Sequence, residues 1–322
     1  MSPLVTVIIP TYNWSTVLPY SVGSVLAQTF TDFELLIVDD CSTDSTPAIL
    51  AEYAARDPRV RVLRNPQNLT SSPSLNRGLD HAQGQFIARH DADDVSHPER
   101  LAKQMAYMEA HPDCLLLGSA YDITDETGVA LRKVAVPADD RMIRASMLFH
   151  NVFAHGSVVF RPRPAYRYTD RILCSDDYDL WTRIALDGPV ANLAESLYRW
   201  RQHGGCISVR KAELQEREAE EIRSRYRSAL LARGELSVFL FAYLAGTVFG
   251  GRRSAELRAV LASGAAVATT ADERRCRRAV AAAAALTPRE ALADWRLLCR
   301  CIGWRRGSWE VGRRMLRRPA GA

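Results

Sequence analysis

Short apolar runs alternate with amphipathic segments along the first 120 residues of the chain. The runs that predict β-strands cover residues 5–9, 34–38, 60–63, 86–89 and 115–117. The segments between them carry apolar side chains at helical spacing, and Ser71 and Pro98 are residues that favour helix starts. Such alternation is typical of a parallel sheet with helices on both faces. The pattern therefore predicts an α/β fold for this part of the chain.

The pattern becomes less regular after Tyr121. A polar turn at residues 125–128 predicts a hairpin, and helical spacing returns at residues 141–148 and 177–186. Residues 157–160 form a short apolar run that predicts an extended segment. This part of the chain is therefore expected to mix hairpins and helices.

The C-terminal third differs from the rest in composition and charge. From about Glu213 the chain is helical in pattern and rich in Arg and Ala, and residues 210–322 hold 23 basic and 12 acidic side chains. Residues 1–209 hold 19 basic and 25 acidic side chains, so the overall charge of +5 hides an acidic front and a basic rear. We therefore predict a folded body at 1–209, with halves at 1–120 and 121–209, and a basic helical region at 210–322.

The seven cysteines suggest a reducing compartment. They form no CxxC pair and no Cys/His spacing that suits zinc, and their odd number and scattered positions are typical of a cytosolic protein. The longest apolar stretch, residues 236–249, is shorter than the roughly 20 residues that a membrane-spanning helix requires. We therefore expect a cytoplasmic protein whose chain does not cross a membrane.

Three carboxylates follow the fourth predicted strand within four residues, at Asp91, Asp93 and Asp94. They repel one another unless a positive group lies among them, and a hard divalent cation such as Mg²⁺ or Mn²⁺ is the simplest partner. A second acidic pair, Asp39 and Asp40, ends the second predicted strand. In a parallel sheet both groups lie at the carboxyl edge, where open α/β folds bind ligands. The sequence therefore predicts a site for a metal-bound phosphate compound.

Two of these strand ends also have a structural interpretation. The acidic pair at 39–40 precedes Ser42, Thr43 and Asp44, which are ordinary helix-cap residues, so the segment suits capping as well as hydrogen bonding to a base or ribose. Residues 10–13, Pro-Thr-Tyr-Asn, follow the first strand. They suit either a plain strand-to-helix turn or a polar and aromatic edge of a binding site.

Seven motifs follow one another in a fixed order along the chain. They lie at residues 7–13 (Val-Ile-Ile-Pro-Thr-Tyr-Asn), 38–44, 91–94 (Asp-Ala-Asp-Asp), 98–100, 151–157, 176–181 and 198–203. Each motif alone is weak, but the ordered set, over about the first 205 residues, closely resembles a family 2 glycosyltransferase. The resemblance implies the GT-A fold, a mostly parallel sheet flanked by helices, with a Rossmann-like nucleotide-binding half and an acceptor half.

The resemblance implies which residues bind a nucleotide sugar. Asp39 would hydrogen-bond the base, with Asp40 beside it. Asp91 would contact the ribose or a metal-bound water, and Ala92 belongs to the same binding element. The remaining contacts to the base and ribose would come from the end of the first strand, at Pro10, Thr11, Tyr12 and Asn13.

The resemblance also implies a divalent cation, Mn²⁺ or Mg²⁺, and a nucleoside-diphosphate sugar, with a UDP-sugar first among the candidates. Asp91 and Asp93 match the family's metal-binding DXD element, and Asp93 is expected to contact the cation directly. His203 either contacts the diphosphate or the metal, or is structural. His155 is a similar case and is expected to shape the acceptor side.

The family places its general base in an acidic pair ahead of an aromatic residue, which here is Asp177. Asp176 is the substitute because the register could slip by one residue. The structural alternative is that acidic residues favour the start of a helix because of its dipole. Trp181 on the same segment suits either the core or a face on which a sugar stacks.

The chemistry of sugar transfer agrees with this division of roles. A divalent cation neutralises the negative charge of the leaving diphosphate, and one carboxylate about 3 Å from the incoming hydroxyl can take its proton. A single displacement inverts the anomeric configuration, unlike glycoside hydrolysis, which normally uses two flanking carboxylates. The sequence therefore predicts an inverting, metal-dependent glycosyltransferase that acts on a hydroxyl of a glycan or a lipid-linked glycan.

Two departures from the family pattern concern the donor pocket. Asn68 is not followed by a glycine, and Arg77 follows Asn76 where many relatives place the basic residue before it.

Two other functions also use acidic strand ends. A nucleotidyltransferase would be expected to carry a Gly-rich, basic phosphate loop after the first strand, and residues 10–13 are not one. A non-catalytic nucleotide-sugar-binding or scaffold protein would not require Asp93 and Asp177, which are both present.

Arginine pairs recur through the last third of the chain, together with Trp295, Trp304 and Trp309. Arginine with tryptophan on helices suits the surface of an anionic bilayer. The alternative is a helical face that packs on the catalytic body or on a second subunit. No nucleic-acid-binding motif accompanies the charge, so we expect no nucleic-acid partner. A peripheral contact at the inner face of the plasma membrane therefore stays one of two open interpretations.

Overall fold

The computed structural model of the chain describes residues 2–205 and 211–235. Two compact units divide the chain, Met1–Ser224 and Arg225–Ala322. The boundary expected at 209/210 falls inside the first unit. The apolar stretch at 236–249 and the arginine pairs of the tail lie outside the described residues.

Within the part of the chain that the structure describes, nine strands form one sheet. They are β1 (Val5–Thr11), β2 (Phe33–Asp39), β3 (Val60–Arg64), β4 (Phe86–Arg89), β5 (Val95–Ser96), β6 (Leu116–Thr124), β7 (Ala130–Val134), β8 (Val159–Phe160) and β9 (Val190–Arg201). The order across the sheet is β3-β2-β1-β4-β8-β6-β9-β5, and β7 pairs with β6.

Seven α-helices and one 3₁₀ helix accompany the sheet in these residues. They are α1 (Leu18–Leu26), α2 (Thr46–Arg56), α3 (Ser71–His81), α4 (Arg100–Ala110), α5 (Asp140–Ser146), the 3₁₀ helix (His155–Ser157), α6 (Asp176–Asp187) and α7 (Ala212–Ala232). The predicted alternation of strands and helices is confirmed. No helix within residues 2–205 or 211–235 is both long and apolar enough to span a bilayer.

The first half of the sheet is parallel, as predicted. β1 pairs with β2 and β4, and β2 pairs with β3, all in parallel. β2 is buried along its whole length and β1 along all but one residue, which explains their nearly continuous apolar sequences. The one charged side chain in the middle of β2, Glu34, accepts from the Thr6 hydroxyl at 2.6 Å and pairs with Arg61. The carboxyl ends of β1, β2 and β4 therefore lie side by side.

The second half of the sheet is mixed. β8 pairs antiparallel with both β4 and β6, whereas β6 and β9 are parallel along their full length. The short strand β5 pairs antiparallel with the end of β9, through Ser96 opposite Tyr198. The sequence pattern did not predict β9, because polar residues at 192, 195 and 196 interrupt its apolar periodicity. This pairing matters because it brings the C-terminal end of β9 next to the acidic segment that follows β4.

The hairpin expected around residues 125–128 is confirmed by the pairing of β6 with β7. Asp125 Oδ1 accepts from the backbone N–H groups of Thr127 and Val129, each at 2.9 Å, and thereby closes the turn. Gly128 has φ +89, a backbone conformation that favours glycine.

Candidate active site

A cleft of about 630 Å³ opens at the carboxyl ends of β1 and β4. Its lining combines the end of β1 and the acidic segment after β4 with residues of three other segments. These residues are Pro10, Thr11, Tyr12, Asn13, Trp14, Asp40, Asn68, Thr70, Ser71, Ser74, Arg89, Asp91, Ala92, Asp93, Asp94, Trp200, His203 and Gly205. The cleft lies where an open α/β sheet is expected to bind its ligand.

Most of the residues expected to bind the nucleotide sugar and the metal meet in this cleft. Residues 10–13, Asp40 and residues 91–93 share the cleft with His203. Asp39 and Asp177 are absent from its lining. The sequence interpretation assigned no role to Trp14, Arg89 or Trp200, although Trp14 directly follows the motif at 7–13 and Arg89 lies two residues before the motif at 91–94.

The turn after β1 is tied to the loop after β2 through Asn13. Its backbone has φ +58, its N–H donates to Ser42 Oγ at 3.0 Å, and its Oδ1 accepts from Thr43 N at 2.8 Å. Ser42 and Thr43 were expected to start helix α2, but α2 begins at Thr46. These two residues instead connect two strand ends at the rim of the cleft.

The acidic pair after β2 is fully engaged inside the protein. Asp39 is buried, and its oxygens accept from Ser42 N at 3.0 Å and from Arg64 Nη1 at 2.6 Å. Asp40 Oδ1 accepts from Asn65 Nδ2 and Leu69 N.

The second oxygen of Asp40 accepts from Thr70 N at 2.9 Å, and Thr70 has φ +74. Because Asn68 and Thr70 line the cleft, Asp40 shapes one wall of the cleft by holding the backbone of residues 69–70. The expected contact of Asp39 with a base stays a prediction.

The three carboxylates after β4 have different partners within the protein. Asp91 Oδ1 accepts from Arg89 Nη2 at 2.7 Å. Asp93 Oδ2 lies 2.9 Å from His203 Nε2. Asp94 turns towards β9 and accepts from Tyr198 OH at 2.8 Å and Arg201 N at 2.7 Å. Among the described residues, no three His, Cys, Asp or Glu side chains converge on one point as metal ligands.

These partners give the three carboxyl groups different acidities. Burial opposes ionisation of Asp91, but the charge of Arg89 outweighs it and holds the pKa of Asp91 below its ordinary value. Burial and the neighbouring Asp91 raise the pKa of Asp93. Burial, with both neighbouring carboxylates, raises the pKa of Asp94 well above its ordinary value. Asp91 is therefore the carboxylate of this segment that most favours its charged form.

A buried network supports Arg89 from behind the cleft. Arg89 Nε donates to His155 Nε2 at 3.2 Å, and Tyr168 OH lies 3.0 Å from the same nitrogen. Burial and the charge of Arg89 lower the pKa of His155 to about 3, so this histidine is neutral and its Nε2 accepts. His155 was expected to shape the acceptor side, but the structure places it behind the acidic segment.

Gly156 allows the close approach of β9 to the acidic segment. A Cβ atom at this position would lie 1.7 Å from Tyr198 Oη and 2.8 Å from Asp91 Oδ2. Tyr198 in turn holds Asp94 and accepts from Asp91 N at 3.1 Å. A side chain at position 156 must therefore displace the group that positions both aspartates.

The helix α6 presents the acidic pair expected to contain the base. Asp177 Oδ2 accepts from Asn151 Nδ2 at 2.8 Å, and its Oδ1 accepts from Tyr178 N at 2.7 Å. Asp176 accepts from Ser72 Oγ at 2.7 Å, and Ser72 lies on α3 between two residues that line the cleft. Helix α3 thus connects the start of α6 with the cleft.

Burial, with the neighbouring Asp176, raises the pKa of Asp177 to about 7. Burial also raises the pKa of Asp176. Asp91 adds a smaller contribution to the shift at Asp177, so the charge of the acidic segment is felt at the start of α6. A carboxyl group with a pKa near neutrality is suited to accept a proton at physiological pH.

Trp181 on α6 is fully buried and packs edge-on against Phe160. This confirms the core interpretation of Trp181 and is incompatible with a sugar-stacking role.

The fold has solved counterparts. TarS of S. aureus, in complex with UDP-GlcNAc, superimposes with a TM-score of 0.62 at 18% identity, over 89% of each chain. The mannosyltransferase PcManGT from Pyrobaculum calidifontis, in complex with GDP-Man and Mn²⁺, gives 0.54 at 18% identity, over 94% of this chain and 86% of that chain. The α/β sheet and its helices thus define a protein with the fold of GT-A glycosyltransferases.

Residues 6–168 match the family model described as Glycosyl transferase family 2. The Bacillus subtilis (strain 168) protein EpsE is 36% identical over 212 residues, which cover 65% of this chain and 76% of EpsE. The O-antigen biosynthesis glycosyltransferase WbnJ of Escherichia coli is 31% identical over 210 residues, which cover 62% of this chain and 80% of WbnJ. The chain belongs to glycosyl transferase family 2. This membership supports a glycosyltransferase enzyme over the nucleotidyltransferase and scaffold interpretations.

We expect Gly156→Ala to abolish catalysis, because the added methyl displaces Tyr198 and with it Asp91 and Asp94. The measurement is UDP binding in the presence of Mn²⁺, by calorimetry, together with turnover. Gly23→Ala is the matched control, because no atom lies within 4 Å of its new Cβ and alanine favours the helix interior. Wild-type turnover in Gly156→Ala would contradict this geometry.

We expect Asp177 to make folding less favourable at alkaline pH. The folded protein retains this proton up to pH about 7, whereas the unfolded chain loses it near 3.8, so the free energy of unfolding falls as pH rises between these values. Asp177→Asn removes this dependence and should be more stable at pH 8, by on the order of 2–4 kcal/mol. Urea unfolding at pH 5 and pH 8 tests it, with exposed Asp113→Asn as the control. Parallel pH profiles for Asp177→Asn and wild type would contradict it.

Proposed function

We propose that the protein is an inverting, metal-dependent glycosyltransferase. It moves a sugar from a nucleoside-diphosphate donor to a hydroxyl of a glycan or a lipid-linked glycan. The observation that supports this most is that a cleft at the sheet edge is connected, through Ser72 and Asp176, to Asp177, whose pKa is raised to about 7. The glycan acceptor is supported by the name of WbnJ, which acts in O-antigen biosynthesis.

The donor is proposed to occupy the cleft at the end of β1. Pro10, Thr11, Tyr12 and Asn13 would border the base and ribose, and Tyr12 is one of the exposed aromatic side chains of the protein. Asp91 and Ala92 would lie on the ribose side, and Asp39 and Asp40 belong to the same strand edge. A UDP-sugar is the first candidate, in line with the UDP-GlcNAc bound by TarS.

The residues present fit a divalent cation. Asp93 Oδ2 and His203 Nε2 are 2.9 Å apart, both line the cleft, and both keep a small part of their surface exposed. An aspartate oxygen and an imidazole nitrogen suit Mn²⁺, and such sites usually take their other ligands from substrate phosphates. Asp93 and His203 would hold the ion, with Asp91 beside them. When bound, the cation would neutralise charge on the leaving diphosphate.

The remaining work falls to side chains of the chain itself. Arg89 keeps Asp91 ionised next to the donor. Asp177 takes the proton of the attacking hydroxyl, and Asn151 fixes the orientation of its carboxyl group. Because Asp177 must be ionised to act, turnover is expected to rise as pH increases through about 7. A single displacement with one base inverts the anomeric carbon.

Two substitutions should separate donor binding from transfer. Asp93→Ala should weaken UDP binding only when Mn²⁺ is present, because it removes one of the two proposed ligands. Asp177→Asn should retain UDP binding and lower turnover by 10²-fold or more, because it removes the base. Calorimetry with UDP, with and without Mn²⁺, and release of UDP from a panel of nucleotide sugars are the measurements.

The matched control is Asp113→Ala, which changes an exposed carboxyl group away from the cleft lining. Equal UDP affinity of Asp93→Ala and wild type in Mn²⁺ would refute the cation site. Full turnover in Asp177→Asn would refute the base, and Asp176→Asn would then be measured next.

We further propose that the tail brings the enzyme to the cytoplasmic face of a membrane, where lipid-linked acceptors would lie. Residues 236–322 contain 16 arginines and six acidic side chains, a balance that suits anionic lipid headgroups.

A chain ending at Glu235 should therefore bind vesicles containing anionic lipid at least tenfold more weakly than the full chain, because each basic residue near the surface contributes about 1 kcal/mol. Flotation with anionic vesicles tests it, and neutral vesicles are the control. Equal binding of both proteins to the anionic vesicles would contradict the proposal.

A further inference from the structure

Helix α7 supplies a buried carboxylate to the segment that precedes the proposed base. Glu218 is 8% exposed, and its Oε1 accepts from Leu173 N at 2.9 Å. Its Oε2 accepts from Cys174 N at 2.8 Å and Ser175 N at 3.1 Å. One side chain thus binds three consecutive backbone N–H groups immediately before Asp176 and Asp177.

The Glu218 carboxylate stabilises the start of α6, where the N-cap side chain does not contribute a capping hydrogen bond. Ser175 occupies the N-cap position but makes no capping hydrogen bond with its side chain. Its hydroxyl instead donates to Gln215 O at 3.2 Å, and Gln215 Nε2 donates to Cys174 O at 3.2 Å. A negative charge next to a helix N-terminus and charge-assisted bonds to N–H groups are both stabilising. Helix α7 therefore fixes the segment that leads into α6, including the backbone N–H of the N-cap residue Ser175.

A second residue of α7, Arg223, binds the segment that precedes Asn151, the hydrogen-bond partner of Asp177. Arg223 Nη1 donates to Phe149 O at 3.2 Å, and its guanidinium is oriented by Glu216 and Glu220. Phe149 lies two residues before Asn151, whose side chain donates to Asp177. Both partners of the Asn151–Asp177 hydrogen bond are thus attached to α7.

We propose that Glu218 is a positioning residue for Asp177. It fixes the first turn of α6 so that the Asp177 carboxyl group stays against Asn151, facing the acceptor hydroxyl. The inference rests on the proposed role of Asp177 as the base. Helix α7 lies outside residues 6–168, which match the family model, so the proposal concerns a part of the chain that this match does not cover.

The test compares three variants of the full chain. Glu218→Ala removes all three hydrogen bonds, and Glu218→Asp keeps the charge but shortens the reach of the carboxylate. Glu221→Ala is the matched control, because Glu221 is exposed on the same helix. If Glu218→Ala does not fold, Glu218→Asp provides the test.

The first measurement needs no substrate. The titration of the Asp177 carboxyl carbon, followed by NMR, should move towards the ordinary aspartate value by about one pH unit or more in both Glu218 variants, because a loosened helix start admits water. Hydrogen exchange of residues 173–176 should also accelerate tenfold or more, while residues 5–9 in the buried strand β1 stay protected. Unchanged Asp177 titration in both Glu218 variants would overturn the proposal.

The second measurement uses turnover and UDP affinity with Mn²⁺. Glu218→Ala should lower turnover tenfold or more without changing UDP affinity, and it should add no further loss in an Asp177→Asn background. Equal further losses in both backgrounds would show that Glu218 does not act through Asp177. Full turnover in Asp177→Asn alone would instead refute the proposed base, and the NMR titration would still report on the position of Asp177.

Discussion

The buried guanidinium of Arg89 stabilises the acidic segment that follows β4. Three aspartates within four residues repel one another, and Arg89 places a positive charge directly against the first of them. Arg89 is itself buried and is oriented by a neutral histidine, His155. The other two aspartates then rely on weaker partners, a histidine and a tyrosine. Together these partners hold the acidic segment in place at the sheet edge.

The two halves of the proposed chemistry differ in electrostatic environment. Arg89 keeps Asp91 charged, whereas burial beside Asp176 raises the pKa of Asp177 to about 7. One carboxylate suits contact with a metal-bound nucleotide, and the other suits proton transfer. Pairs of carboxyl groups with diverging pKa values are a common basis for such a division of roles. The raised pKa of Asp177 therefore has two effects: it lowers the stability of the folded protein at alkaline pH, and it suits the side chain to accept a proton.

The sequence predicted the donor half well because its information is local. Apolar runs specified β1 to β4, and strand ends of a parallel sheet must share an edge, which is why residues 10–13 and 91–93 meet. The partners of the acidic residues were not predictable in this way. Tyr198 and His203 reach the acidic segment through β9, whose polar residues conceal its periodicity. Glu218 and Leu173 are 45 positions apart, and no periodic pattern relates them.

Because α7 binds the segment before α6, a segment exchanged between relatives must contain both helices if it contains one of them. A chimaera joined after residue 168 would combine one protein's residues 10–14 and 89–94 in the cleft with another protein's helix α6. Such a hybrid would also need α7 from the second protein. Its residues Glu218 and Arg223 bind the segments that precede Asp177 and Asn151. An exchange that includes α6 must therefore extend to about residue 224, so that Glu218 and Arg223 come with it.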